Sequence, residues 1–120
     1  MERGLVAILA ADVVGYSRLM RADETGTFER LDKLLQEVIQ PTVQNHTGRI
    51  VKLMGDGYLV EFQSVIDAMQ CAAAIQDQML EREPDVAQDQ QILIRIGVNF
   101  GDVIRKEDDI YGDGVHIAAR

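Results

Sequence analysis

Arg49-Ile-Val-Lys-Leu-Met-Gly-Asp-Gly-Tyr-Leu-Val-Glu-Phe62 decides the fold. Two runs of strand formers, Arg49 to Met54 and Tyr58 to Phe62, flank Gly55-Asp56-Gly57. Glycine on both sides of an aspartate permits the positive φ angles of a tight hairpin. Upstream, Phe28, Leu31, Leu34, Leu35, Val38 and Ile39 recur at helical spacing from Thr27. Pro41 is expected to end that helix, because it cannot continue the hydrogen-bond ladder. Earlier still, Leu5-Val-Ala-Ile-Leu-Ala-Ala11 shows no alternation, which suits a central strand covered on both faces. Gly15 to Met20 then reads as a short turn or helix.

Downstream of the hairpin, Ser64-Val-Ile-Asp67 has the form of a capping box and opens a second long helix through Ala68, Cys71, Ala72, Ile75 and Met79, with Pro84 just past its end. Ile92, Ile94, Ile96, Val98 and Phe100 alternate with Leu93, Arg95, Gly97 and Asn99, the period of a strand. Gly101-Asp102 is expected to turn the chain into Val103 to Lys106, and Gly112 to Arg120 reads as a loop entering a helix. Strand, helix, hairpin, helix, strand is the ferredoxin-like split βαβ order. The predicted class is therefore α+β, a palm-type sheet with helices on one face, in one domain over residues 1–120.

Composition narrows the function. Twelve Lys+Arg against 20 Asp+Glu leave a net charge of -8, which argues against broad nucleic-acid binding or docking on an anionic membrane. A nucleotide ligand is compatible with that charge, because divalent metals held by carboxylates can mediate phosphate binding. One cysteine, Cys71, excludes an intrachain disulfide and suits a reducing compartment. The apolar run from Leu5 is stopped by Asp12, far short of the roughly 20 residues a membrane span needs, and no targeting segment is visible. The expected location is cytoplasmic.

Two carboxylates stand out by position. Asp12 ends an apolar strand, and Asp56 sits at the tip of a hairpin that should lie beside it. In a split βαβ sheet the first strand is central, so the two tips can converge. Convergent carboxylates suit hard divalent cations, and a pair of such cations can clamp the attacking and leaving oxygens of phosphoryl transfer. Taken singly, each Asp is better explained as a turn or cap residue, and only together do the two readings come closer to even. Lys52 lies inside a strand, either as a solvent-facing side chain or as a donor to a base or phosphate. His116 and Arg120 are spaced i, i+4, which would put both on one helix face, as ligand contacts or as a surface pair. The run Glu107-Asp108-Asp109 reads as a solvated loop.

Together, Asp12-Val-Val-Gly-Tyr-Ser17, Lys52-Leu-Met-Gly-Asp56 and Asp109-Ile-Tyr-Gly-Asp-Gly-Val-His-Ile-Ala-Ala-Arg120 resemble the class III nucleotidyl cyclase catalytic domain, with the strongest likeness to bacterial adenylate cyclases. The resemblance runs from about Leu5 to Arg120, and the family continues through further strands, which implies a domain incomplete after residue 120. It implies that Asp12 and Asp56, with the Val13 carbonyl, hold two Mg²⁺ or Mn²⁺ ions. Backbone N–H groups of Val14, Gly15, Tyr16 and Ser17 would receive phosphate oxygens. Lys52 and Asp109 match the family's adenine-reading pair, and Arg120 matches the arginine that stabilises charge in the transition state. The implied reaction converts ATP to 3′,5′-cyclic AMP and pyrophosphate in a homodimer whose sites are shared between chains. Fused regulatory domains would lie outside this chain.

His116 departs from the family, which usually has an asparagine orienting the ribose. A neutral imidazole can donate one hydrogen bond and accept another, but it is bulkier and charges near neutral pH. That departure favours a second reading, a weak or inactive cyclase-like domain that binds nucleotide or dimerises. A diguanylate cyclase ranks lower, because Met54-Gly-Asp-Gly-Tyr58 lacks that family's paired glycines followed by acidic residues. A ferredoxin-like interaction domain without a ligand would leave the coincidence of three motifs accidental.

Overall fold

A computed structural model of the chain describes the backbone of residues 2–106 and 109–111, and the side chains of residues 4–103 except Met54. Strand β1 (Glu2–Val13) leads into helices α1 (Tyr16–Ala22) and α2 (Glu24–Leu34). A π-helical turn (Leu35–Ile39) joins α2 to α3 (Gln40–Asn45). The hairpin β2 (Arg49–Met54) and β3 (Gly57–Phe62) follows, then α4 (Val65–Arg82), β4 (Ile94–Lys106) and the short β5 (Asp109–Tyr111). The strands form one sheet in the order β2-β3-β1-β4-β5, antiparallel throughout. The expected α+β class and the central first strand are both present.

The helices cover one face of the sheet. Ala7, Leu9, Ala11 and Val13 of β1 pack there with Tyr58, Val60 and Phe62 of β3 and with Leu34, Ile39, Cys71 and Ile75 from the helices. The alternate residues Val6, Ile8 and Ala10 of β1 form a second buried cluster with Leu59 and Val103, to which no helix contributes. They are nonetheless buried, because β5 comes back against β2 from the opposite edge of the sheet. The sheet therefore curls, and its helix-free face is concave. This explains the unbroken apolar run of β1 without a second helical layer.

Local signals hold at two junctions. The Ser64 hydroxyl accepts hydrogen bonds from the N–H groups of Ile66 (3.1 Å) and Asp67 (3.4 Å), capping α4. Gly55 opens the two-residue turn of the hairpin at φ 60°, a left-handed conformation that suits glycine. Two expectations fail. The helix does not end before Pro41 but runs on to Asn45 through the π turn, where Gln40 N–H bonds to the Leu35 carbonyl, five residues back. The missing N–H of Pro41 thus falls where the hydrogen-bond register is already shifting. Nor does Gly101-Asp102 turn the chain, because β4 continues to Lys106 and both residues pair with β1, at Val6 and Leu5. Along that length the ladder to β1 overrides a dipeptide's turn preference.

Candidate active site

Asp12 follows Val6, Ile8 and Ala10 in the alternation of β1, so it stands on the helix-free face, one residue before the strand ends. The register sets it opposite Gly57 on β3 and opposite Arg95 on β4. Asp56 precedes Gly57 directly, half-buried in the turn of the hairpin. The central position of β1 therefore brings the two carboxylates to neighbouring strand ends.

On the other side of Asp12 from the hairpin stands a residue that sequence reasoning passed over. Arg95 Nε donates to Asp12 Oδ1 (2.9 Å) and Nη2 donates to Oδ2 (3.2 Å), a two-pronged ion pair. The bonds to Asp12, the Asp12 charge and the charge of Asp56 all push the Arg95 pKa further up. One guanidinium thus answers both carboxylates. Its place on the polar side of β4 was legible from alternation, but its pairing with Asp12 follows only from the β1–β4 register. On β3, burial and then the Asp56 charge raise the Tyr58 phenol.

The donor set fits a hard divalent cation. Two carboxylates are adjacent, and a guanidinium already occupies the place of a positive charge. Among the described residues no group of three His, Cys, Asp or Glu side chains converges. Carbonyl and phosphate oxygens would have to complete the shell, the usual arrangement for Mg²⁺ at a nucleotide.

The loop after β1 turns into α1 through Gly15, whose φ of 66° is left-handed. Leu19 anchors α1 in the core, and the buried Thr27 hydroxyl donates to the Leu19 carbonyl at 2.9 Å. Val14 requires a correction: its N–H is bonded to the Leu93 carbonyl at 2.8 Å, so this amide is not open to a phosphate. Gly15, Tyr16 and Ser17 open α1, whose ladder closes from Leu19 N–H onto the Gly15 carbonyl.

Lys52 follows a β-bulge between Ile50 and Lys52 that sets it opposite Leu59, on the helix-free face. Val51 also packs against the cluster on that face, whereas Ile50 packs on the helix side. The bulge therefore departs from the alternation that β2 would otherwise keep. Asp109 begins β5, the strand that returns to β2, which carries Lys52. His116 and Arg120 lie outside the described residues, as does the helix expected to carry them. Arg49 and the buried Glu61 form a further cross-strand pair (Nε to Oε1, 2.9 Å) that sequence reasoning also missed.

The sequence pattern of the adenylate and guanylate cyclase catalytic domain matches residues 2–120. The chain belongs to this family. It is 49% identical over 120 residues to "Putative adenylate cyclase 3" of Rhizobium meliloti (strain 1021), covering all of this chain and 20% of that protein. The solved structure of an adenylate/guanylate cyclase/hydrolase from Silicibacter pomeroyi is 44% identical, with a TM-score of 0.91 over 99% of this chain and 69% of that one. The adenylyl cyclase CyaB from P. aeruginosa, 20% identical, shares the fold at a TM-score of 0.82 over 99% of this chain and 71% of that one. The chain thus spans about a fifth of the length of the R. meliloti relative. Among the described residues no helix is long and apolar enough to cross a membrane.

Proposed function

We propose that this cyclase domain is an adenylate cyclase that forms 3′,5′-cyclic AMP and pyrophosphate from ATP in a homodimer with shared sites. The observation that carries the reading is the meeting of Asp12 and Asp56 at neighbouring strand ends, under one guanidinium. These two residues, with the Val13 carbonyl, would hold two Mg²⁺ or Mn²⁺ ions. When bound, such ions lower the pKa of the ribose 3′-hydroxyl and offset the triphosphate charge.

The chain's own residues orient the substrate. Lys52 and Asp109 read the adenine edge, and the approach of β5 to β2 supports their acting as a pair. The amides of Gly15, Tyr16 and Ser17 face the phosphates at the turn into α1, and His116 positions the ribose. The 3′-oxygen then attacks the α-phosphorus in line. A new P–O bond closes the ring, the bond to the pyrophosphate oxygen breaks, and the hydroxyl proton leaves to solvent. Arg120 offsets the charge that gathers on the phosphorus oxygens.

The name of the R. meliloti relative supports adenylate over guanylate chemistry. The test is incubation of the chain with ATP and Mn²⁺ at several protein concentrations, with cyclic AMP and pyrophosphate both quantified. The expected result is equal yields of the two products and a rate per chain that rises with concentration. ATP-dependent thermal stabilisation without product would replace this reading with a nucleotide-binding module.

A further inference from the structure

If Asp12 and Asp56 hold divalent ions, the Arg95 guanidinium stands in the way. We propose that Arg95 is a built-in competitor of the metal: it neutralises the acidic pair while the site is unloaded, and it must leave Asp12 for a divalent cation to bind. The inference rests on the metal-binding reading of the pair, and it adds an exchange that this reading does not require.

Three observations carry it. The fork of Arg95 engages both oxygens of Asp12, at 2.9 and 3.2 Å, so each of them already has a positive group beside it. The Asp56 charge also acts on Arg95, which puts the guanidinium within electrostatic reach of both proposed ligands. A divalent ion on the same carboxylates would repel it. Finally, the Arg95 side chain is 70% exposed, and Asp12 is its sole hydrogen-bond partner among the described residues. Nothing else among the described residues holds the head group, so it can swing into water once Asp12 is taken. Loading is then an exchange of one cation for another. The resident guanidinium raises the metal concentration at which the site fills and spares the unloaded site the repulsion of two adjacent carboxylates.

The test titrates Mn²⁺ alone into the purified chain and follows the electron paramagnetic resonance signal of the free ion. Arg95→Gln should tighten Mn²⁺ binding by about two- to fivefold, the range open to an exposed pair. Arg95→Lys, which keeps the charge but loses the fork, should fall between it and the wild type. Asp12→Asn should abolish binding. Unchanged or weaker binding in Arg95→Gln, with Asp12→Asn still abolishing it, overturns the competitor role and leaves the metal site standing. Mn²⁺ binding that is absent from the wild type, or indifferent to Asp12→Asn, overturns the metal reading and this inference with it. The wild-type chain supplies a check free of folding effects. In a Mg²⁺ titration followed by nitrogen-15 NMR, the Arg95 Nε–H resonance should move with the same midpoint as ion binding. A resonance that stays in place while Mg²⁺ binds overturns the exchange.

Discussion

Replacing Leu59 by Ala probes the feature on which the shape of the site depends, the concave face without helices. Leu59 is 0% exposed and packs with Val6, Ile8, Ala10 and Val103. Removing three carbon groups at about 0.8 kcal/mol each takes away about 2.4 kcal/mol of burial. Incomplete collapse around the gap brings the loss to about 3–4 kcal/mol. For a chain of this size that corresponds to a fall of roughly 12–16 °C in the melting temperature. Leu34, equally buried but on the helix side, is the control, and Leu34→Ala should cost a similar amount. Urea denaturation of both variants, compared at equal m-values, measures the two losses. If Leu34→Ala costs about 3 kcal/mol and Leu59→Ala under about 1 kcal/mol, the helix-free face is open in solution. The return of β5 onto β2 would then be refuted.

Gly48→Ala should destabilise the fold by about 1–3 kcal/mol, because its methyl group would meet the Phe62 ring at 2.5 Å and that ring is 1% exposed; a denaturation midpoint equal to wild type would contradict this. Burial pushes the Cys71 thiol up to about 11 from an ordinary value of 9.0, so the folded chain binds this proton more tightly than the unfolded one. The resulting stability is fully present below pH 9 and fades as pH climbs through about 11; denaturation midpoints at pH 8 and 10.5 should fall less steeply in Cys71→Ala than in the wild type. Lys52→Glu should raise the rate with GTP relative to ATP by several-fold, and an unchanged ratio would remove Lys52 from base reading. His116→Asn should raise cyclic AMP turnover several-fold, and an equal or lower rate in the variant would remove His116 as a brake on turnover.

Much of the fold was legible residue by residue. The apolar run from Leu5, the hairpin at Gly55-Asp56 and the Ser64 cap are local signals, and the structure obeys each of them. The motifs around Asp12, Lys52 and Asp109 likewise carried the family resemblance that the match over residues 2–120 shows. The two expectations that failed were also local. Pro41 signals a helix end when only its missing N–H is considered, and the π turn that absorbs it depends on the packing of Val38, Ile39 and Val43 in the core. Gly101-Asp102 signals a turn until β1 lies alongside and claims both residues for its ladder.

The sequence by itself thus determined which residues were candidates for chemistry, because carboxylates at the ends of an apolar strand and of a hairpin stand out by type and position. Only the tertiary structure decided what stands beside them. Arg95 lies 83 residues from Asp12 along the chain, and a strand's polar face can be read from its period, but not which residue of another strand it will face. Register is a property of the paired strands together. It placed the guanidinium on Asp12, set Asp56 at the neighbouring strand end, and, through the bulge in β2, set Lys52 opposite Leu59.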